Sequence, residues 1–308
     1  MVGTPSILTS LLPVFLIIIS GYGFKKSKFP GDDFWHGAER MVYYFLYPAL
    51  LFSSSAGASW EFFSVASMVW AILAAMFVMS GFLLLLRPHL TKNDASFSSI
   101  FQGSLRFTSY IGFAAAFSLF GDEGLYLAAV FITVMIPVVN ILCVMVLVRY
   151  GDQKSGWYWI FTTVIKNPLI LACLAGMAFN LLGLQLPVMV DNLTTILGRG
   201  SLPLGLLAVG ASLQVSSIKK AGREVVYACL LKLILMPLLM WLSCTLLGVD
   251  SLSTAVAVLF AALPGSPLSY ILAKQLGGDT RLMSSIIAVQ TGISMISLPI
   301  IIALVTSP

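Results

Sequence analysis

The stretch that decides the fold is Ala262-Leu263-Pro264-Gly265-Ser266-Pro267, which lies inside a long apolar segment, residues 252–273. Its two prolines remove two backbone N–H donors, and the glycine between them disfavours a helix further. A helix that runs through this segment is therefore expected to break near its middle. At the centre of a membrane, the backbone groups freed by a break are tolerated only against other protein or a water-filled cavity.

The composition places the whole chain in a membrane. Of its 308 residues, 59% are hydrophobic and 9% are charged, whereas a soluble domain has about 25% charged residues. The mean hydropathy is +0.99. This composition excludes a soluble enzyme, a nucleic-acid-binding protein and a disordered chain. The four cysteines lie in apolar runs and do not form a disulfide framework.

Ten segments are long and apolar enough to cross a bilayer, since a spanning helix needs about 20 mostly apolar residues. Their approximate bounds are 6–24, 38–56, 64–86, 96–117, 124–148, 160–183, 192–214, 222–247, 252–273 and 282–304. The connections between them are too short to hold a soluble domain. The sequence therefore predicts an all-α membrane protein with ten transmembrane helices.

The basic residues predict the orientation of these spans. Fourteen of the 17 Lys and Arg residues lie in the odd-numbered connections. They are Lys25, Lys26, Lys28, Arg40, Arg87, Lys92, Arg149, Lys154, Lys166, Lys219, Lys220, Arg223, Lys274 and Arg281. Because cytoplasmic loops carry the excess of positive charge, the odd connections are expected in the cytoplasm and both termini outside. We expect a multi-pass protein of the plasma (inner) membrane.

The two halves of the chain show a weak internal repeat. Residues 155 positions apart match in three places: Pro13 with Pro168, Gly21 with Gly176, and Pro48 with Pro203. We therefore divide the chain into a first five-helix repeat (1–150), a short cytoplasmic connection (151–159) and a second repeat (160–308). Five spans are an odd number, so the second repeat is expected to be inverted relative to the first, as in alternating-access transporters. In each half the fourth span is the irregular one, and we expect breaks in spans four and nine.

Several motifs resemble those of one known family. They are Leu12-Pro13-Val14-Phe15 with Gly21-Tyr22, Tyr43–Leu51, Phe120-Gly121, Ile136-Pro137-Val138-Val139-Asn140, Leu263–Gly278 followed by Asp279, and Ser284-Ser285-Ile286-Ile287. Together they resemble the auxin efflux carrier family, which includes the plant PIN-FORMED proteins and bacterial proteins designated malate or malonate permeases. The resemblance implies a five-plus-five inverted repeat with crossed fourth and ninth helices, scaffold and transport domains, a homodimer, and transport of organic anions. One departure is Thr108 in the fourth span, where bacterial members commonly have Asn.

The same resemblance implies a set of substrate-binding residues. They are Thr108, Ser109, Tyr110, Gly112, Asn140, Pro264, Gly265, Ser266 and Pro267, with Ser54 in the Ser53–Ser55 run at the end of span two. The first four surround the break expected in span four, and the four that follow Asn140 surround the break in span nine. Two half-helix N-termini that meet at mid-membrane would favour an anion.

Three basic residues remain inside the spans: Arg106, Lys232 and Arg199. A charge at mid-bilayer costs about 2.5–3.5 kcal/mol on insertion scales and usually has a function. We therefore add Arg106, beside the expected break, to the candidate substrate-binding residues. The alternative for Arg106 and Lys232 is that they bind backbone carbonyls freed by the breaks or reach a cytoplasmic vestibule. Arg199 lies nearer the outer surface and is expected to be structural.

None of the 12 Asp and Glu residues is expected inside a span, so the buried cations lack an obvious carboxylate partner. We therefore expect no carboxylate proton relay. Hydroxyl and amide oxygens could still hold Na⁺, for example at Thr108, Asn140, Asn180 or Gln290. No metal site is expected, since both histidines lie in connections.

These observations favour a secondary transporter of small organic anions (auxin-like carboxylates or dicarboxylates) that works by alternating access. A sodium-coupled organic-anion symporter of the bile-acid type is the nearest alternative, and a non-transporting receptor or channel is an alternative of a different class. No enzyme activity, cofactor, ATP site or nucleic-acid partner is expected. The expected partners are the anion, the lipid bilayer and a second copy of the chain.

Overall fold

The computed structural model describes residues 4–56, 62–151, 168–184, 186–213 and 222–306, and within these ranges the chain forms helices and no strand. In chain order the helices are α1 (Thr4–Lys26), α2 (Asp32–Met41), α3 (Tyr47–Ala56), α4 (Phe62–Leu90), α5 (Asp94–Leu105), α6 (Ser109–Tyr150), α7 (Pro168–Leu181), α8 (Val188–Ser212), α9 (Arg223–Leu230), α10 (Met236–Leu246), α11 (Ser251–Ala261), α12 (Leu268–Leu276) and α13 (Thr280–Thr306). Two π-helical turns, Val42–Leu46 and Leu231–Leu235, join α2 to α3 and α9 to α10 without a break.

The helices agree with an all-α membrane protein. In the described part of the chain, five helical stretches are long and apolar enough to cross a membrane: Ala66–Leu90, Asp94–Tyr150, Val188–Ser212, Arg223–Leu246 and Thr280–Thr306. Each of the ten apolar segments is mainly helical where it is described, with interruptions at 106–108 and 262–267, and residues 160–167 and 214 lie outside the described residues. The ten-span arrangement itself stays a prediction.

The first interruption separates α5 from α6. Arg106 (φ −72°, ψ 155°) and Thr108 (φ −87°, ψ 99°) have extended backbone, so the helix stops at Leu105 and restarts at Ser109. Gly121, with φ 64° and ψ −148°, then divides α6 into a short arm (109–120) and a long arm (122–150). A positive φ favours glycine, because glycine has no Cβ to clash with the backbone.

The second interruption separates α11 from α12. The helix ends at Ala261 and restarts at Leu268, and the residues between them contain the two prolines. Pro264 and Pro267 cannot donate backbone hydrogen bonds, and this break is therefore predictable from the sequence.

Close backbone approach holds α1, α3, α7 and α8 together. Gly21 of α1 lies directly against the backbone of Leu207 in α8, where a Cβ would collide with the Leu207 carbonyl. Gly176 of α7 lies against the carbonyl oxygen of Phe52 in α3, 2.6 Å from where a Cβ would stand. Small residues of this kind let membrane helices pack at short range.

The remaining helices pack around the two interruptions. Helix α5 contacts α6, α9 and α13, while α11 contacts α6, α10 and α13. The α6 helix also contacts α1, α3, α7 and α8, so it connects these helices with the rest of the protein. The interruptions therefore lie in the interior, where neighbouring helices cover them.

Candidate functional site

The two interruptions bind each other directly. The backbone N–H of Thr108 donates to the carbonyl of Pro264 at 2.9 Å, and the Thr108 hydroxyl donates to the carbonyl of Gly265 at 2.8 Å. Thr108 is buried. Two backbone carbonyls freed by the second break are thus satisfied by a residue of the first, so the breaks form one joined crossing.

Gln290 of α13 stabilises the same crossing. Its side-chain oxygen accepts from the backbone N–H of Gly265 at 2.9 Å, and its amide nitrogen donates to the carbonyls of Gly103 and Ala228 at 3.0 Å each. The amide is fully buried. One side chain therefore connects the second interruption with α5 and α9.

A buried cation lies beside this crossing. Arg106 follows the last residue of α5 and is only 9% exposed, and its guanidinium Nη1 donates to the side-chain oxygen of Asn140 at 2.8 Å. The guanidinium also contacts Cys143, one turn further along α6. Its Nε is buried without a hydrogen-bond partner, and within the described residues the side chain makes no ion pair. The positive charge is thus oriented by neutral groups and not neutralised.

The α6 helix begins at the crossing, and its N-terminus adds to this positive field. No side chain caps it, although the N-cap residue is Thr108, because the Thr108 hydroxyl bonds Gly265 instead. A helix N-terminus carries about half a positive charge on its free N–H groups. Ser109, in the first turn, is half-buried. Free N–H groups beside an arginine form a natural anion-binding arrangement.

Aromatic rings form one wall of the crossing. Tyr110 stacks on Tyr47 of α3 with a centroid separation of 4.6 Å, and Phe113 lies 5.7 Å from the Tyr47 ring. Gly112 lies against Phe260 and Leu263, where a Cβ would come within 2.8 Å of either side chain. Gly112 is therefore a packing position that brings α6 close to α11.

A cavity of about 460 Å³ reaches the second interruption. It lies between α1, α2 and α8 on one side and α12 and α13 on the other. Its lining includes Pro267, Tyr270 and Ser284 from the second side and Lys25 and Glu39 from the first. It thus connects the crossing with the side of the protein that carries the basic residues.

Glu39 is a carboxylate in the cavity lining that the sequence analysis did not single out. This residue lies in α2, which continues through the π-helical turn into α3, and its side chain is half-buried and lines the cavity. The same cavity is lined by Pro267 of the second interruption and by Tyr270 of α12. A carboxylate therefore lies near the candidate site, although Arg106 makes no ion pair with it.

The crossing brings together most of the residues expected at the site: Arg106, Thr108, Ser109, Tyr110, Gly112, Asn140, Pro264, Gly265, Ser266 and Pro267. The hydroxyl of Ser266 accepts from the backbone N–H of Leu268 at the start of α12. Ser54 lies in α3, but its side chain is outside the described residues. Arg199 is exposed. Sequence reasoning missed the roles of Gln290 and Glu39.

Three of the four side chains considered for Na⁺ use their oxygens in hydrogen bonds within the protein. The Asn140 oxygen faces a guanidinium, the Gln290 oxygen accepts from Gly265, and the Thr108 hydroxyl donates to a carbonyl. Within the described ranges, no three His, Cys, Asp or Glu side chains cluster as metal ligands.

Helices interrupted at a shared interior crossing, with a buried cation beside it, are typical of polytopic membrane transporters. A sequence profile described as "Membrane transport protein" matches residues 6–157 and 160–302. The chain therefore belongs to this family of membrane transporters, the auxin efflux carrier family. It is a multi-pass membrane protein, and its family indicates that it is a transporter.

Curated relatives agree with this assignment over nearly the full length. The chain is 25% identical to a protein of Rhizobium meliloti (strain 1021) named "Putative malonate transporter", over 96% of this chain and 95% of the relative. It is 24% identical to an uncharacterized transporter of Methanothermobacter thermautotrophicus, over 94% and 96% of the two chains. It is also 24% identical to the uncharacterized transporter YfdV of Escherichia coli (strain K12), over 91% of each chain.

Proposed function

We propose that this protein is a secondary carrier of small organic anions, with carboxylates (auxin-like acids or dicarboxylates) as its substrates and alternating access as its mechanism. The observation that carries the proposal is the buried Arg106 guanidinium, which Asn140 orients beside the uncapped N-terminus of α6. Charge-assisted hydrogen bonds from a guanidinium suit a carboxylate. The Rhizobium relative is named for malonate, a dicarboxylate, which supports this substrate class.

The architecture we propose has ten spans in two inverted repeats, 1–150 and 160–308, joined by residues 151–159. Two contacts support it, because they are related by the repeat offset. Gly21 lies against Leu207, and Gly176 lies against Phe52. Adding the 155-residue offset to Gly21 and Phe52 gives Gly176 and Leu207. The glycine of each repeat therefore packs against the equivalent residue of the other repeat. In this arrangement α5 with the short arm of α6, and α11 with α12, are the crossed fourth and ninth spans.

The moving parts follow from the packing. Helices α1, α3, α7 and α8 are tied by close glycine contacts and would form the scaffold, whereas α12, α13 and the crossing would belong to the transport domain. The cavity between α1, α2, α8 and α12, α13 lies along this boundary. Movement of the transport domain would close this cavity and open a path to the opposite side.

The setting of the carrier follows from the charge pattern and the family. We place both termini outside the plasma membrane, so that the cavity rim with Lys25 and His36 faces the cytoplasm. We also propose a homodimer, as the family resemblance implies. Mass measurement of the purified protein in detergent would contradict this if only a 33 kDa species were found.

Two other functions remain alternatives. A sodium-coupled symporter of the bile-acid type would need oxygens free to hold Na⁺, and the oxygens of Asn140 and Gln290 already accept hydrogen bonds. A receptor or channel without transport would bind or pass solutes without a saturable exchange cycle.

Counterflow into proteoliposomes tests the function. Vesicles preloaded with unlabelled carboxylate should accumulate the same labelled compound transiently, across a panel of mono-, di- and aromatic carboxylates. A channel gives no counterflow, and a sodium-coupled symporter gives it only with Na⁺ present. The proposal fails if no carboxylate in the panel shows saturable counterflow.

Substitution of Arg106 tests the site. Arg106→Gln should raise the apparent KM for the anion about 10- to 100-fold, because a hydrogen bond to a charged group contributes about 1.5–3 kcal/mol. Arg106→Lys keeps the charge but loses the fork of donors, so its effect should be smaller. Arg199→Gln, at an exposed arginine, is the matched control and should behave as the wild type. Unchanged KM and rate in both Arg106 variants would remove this residue from the site.

A further inference from the structure

A second buried cation is not explained by the proposed site. Lys232 lies in the π-helical turn Leu231–Leu235, near the middle of the helical stretch Arg223–Leu246. Its side chain is 0% exposed, and its Nζ has no hydrogen-bond partner in the described part of the protein. An unpaired ammonium in such surroundings is costly, because burial removes its hydration and nothing replaces it. π-Helical turns occur often at functional sites.

The helices around Lys232 offer no counter-charge. The π-helical turn packs against α5 and α13 and continues into α9 and α10. The charged residues of these helices lie at their ends: Asp94 on α5, Arg281 on α13, and Arg223 and Glu224 on α9. Glu224 is eight residues, or about 12 Å of helix, away from Lys232, and the nearer titratable groups on α9 are Tyr227 and Cys229. Within the described residues, the Lys232 Nζ is therefore buried without a hydrogen-bond partner and with no acidic residue nearer along its own helix than Glu224.

The Lys232 segment is connected to the anion site through α5. Gln290 bonds Ala228, one turn before Lys232, and Gly103, three residues before Arg106. Gln102 is also fully buried, and neither of its amide atoms has a partner. Buried polar atoms without a hydrogen-bond partner therefore occur on Arg106, on Gln102 of α5 and on Lys232. The segments that carry them pack against one another next to the crossing.

We propose that the amine of Lys232 is the binding site of a proton that is coupled to anion transport, so that the carrier uses a lysine where other carriers use a carboxylate. Binding converts the neutral amine and a proton taken from water into an ammonium, and release returns the proton to water on the other side. This inference rests on the proposed carrier function.

Charge balance explains why the two binding events are coupled. The empty site carries the single charge of Arg106, while Lys232 is neutral. A bound monocarboxylate cancels that charge and makes an ammonium at Lys232 less costly, because an anion is now nearby in a medium of low dielectric. Protonation then restores the charge of the empty carrier. Two ligands that favour each other in this way have a negative, and so favourable, coupling free energy.

Proton movement in proteoliposomes tests the inference. Vesicles hold a trapped pH indicator, and K⁺ with valinomycin clamps the membrane potential. In the wild type, an inward substrate gradient should change the internal pH with the same substrate dependence as uptake. At a stoichiometry of one proton per anion, a pH difference of one unit should drive about tenfold accumulation.

Three variants separate coupling from folding and binding. Lys232→Met keeps the length and apolar packing of the side chain without its amine, and should retain counterflow at equal pH while losing proton movement. Lys232→Arg holds a permanent charge and should also lose proton movement. Lys26→Met, which removes an exposed lysine at the end of α1, should couple like the wild type.

The outcomes distinguish this inference from the function on which it rests. Wild-type counterflow with no substrate-driven pH change overturns the role of Lys232 and leaves the carrier function standing. Proton movement that persists in Lys232→Met overturns it as well. A wild type without counterflow for any carboxylate removes both. The wild-type measurement can overturn the inference even if neither Lys232 variant folds.

Discussion

The side-chain oxygen of Asn140 is what orients the buried guanidinium of Arg106, at 2.8 Å. An amide oxygen does this without neutralising the charge, so the positive field remains available to a ligand. Asn140→Asp has nearly the same shape but places a resident carboxylate on Arg106. We expect the apparent KM for the anion to rise at least tenfold, because the substrate must compete with this built-in anion.

The matched control for this prediction is Asn180→Asp. Asn180 is a half-buried amide of α7 that donates to the carbonyl of Ala56, away from the crossing. Both variants are measured by counterflow over a range of substrate concentrations at equal expression. An Asn140→Asp protein with wild-type KM would show that Arg106 does not bind the anion.

Some residues of the site could be inferred from the sequence and others could not. Arg106 was recognisable because a charge deep in an apolar segment is costly and therefore unusual. Gln290 was not recognisable as a clamp of the crossing, since its partners Gly103 and Ala228 are 187 and 62 residues away and contribute only backbone atoms. Glu39 was not recognisable as part of the cavity lining, because it lies at the edge of a predicted span and its neighbours in the cavity come from distant segments of the chain.

At the level of helices, the two interruptions differ in how far the sequence explains them. The second contains Pro264 and Pro267 with a glycine between them, so two backbone donors are lost within four residues and the helix is strongly disfavoured there. The first contains no proline, and its extended backbone is stabilised by Thr108, whose N–H and hydroxyl bond Pro264 and Gly265 of the other interruption. That stabilisation is tertiary, so the break in the fourth span was an expectation from the resemblance and the repeat, not from local propensity.

Packing between α1 and α8 gives a prediction at this level. Gly21 lies directly on the Leu207 backbone, whereas Gly23, two residues further along the same helix, has nothing within 4 Å of where a Cβ would stand. Gly21→Ala should destabilise the protein by about 1–3 kcal/mol, because backbone atoms cannot move aside for the new methyl group. Gly23→Ala should be neutral or slightly stabilising, since alanine favours helix.

Thermal unfolding in detergent, followed by the loss of monodisperse protein, compares the two variants. Gly176→Ala in α7 should resemble Gly21→Ala, because Gly176 meets Phe52 as Gly21 meets Leu207. Equal midpoint temperatures of unfolding for Gly21→Ala and Gly23→Ala would contradict the close approach of α1 to the Leu207 backbone. A loss confined to Gly21→Ala, with Gly176→Ala unaffected, would weaken the case for repeated packing in the two halves.

For the whole molecule, the division into a scaffold and a transport domain makes the cavity along their boundary the place where movement should be seen. Ser284 of α13 lines this cavity, opposite Lys25 of α1 and Ala211 of α8. In a background with the four native cysteines replaced by serine, Ser284→Cys should react with a membrane-impermeant maleimide added from the cytoplasmic side. A saturating carboxylate should lower the reaction rate several-fold, because occlusion closes the cavity.

The control is Lys26→Cys, exposed at the end of α1 on the same side, which should react at the same rate with and without substrate. If substrate leaves both reaction rates unchanged while counterflow proceeds, the boundary between scaffold and transport domain lies elsewhere. If both cysteines react only with maleimide added from outside, the orientation inferred from the basic residues is reversed.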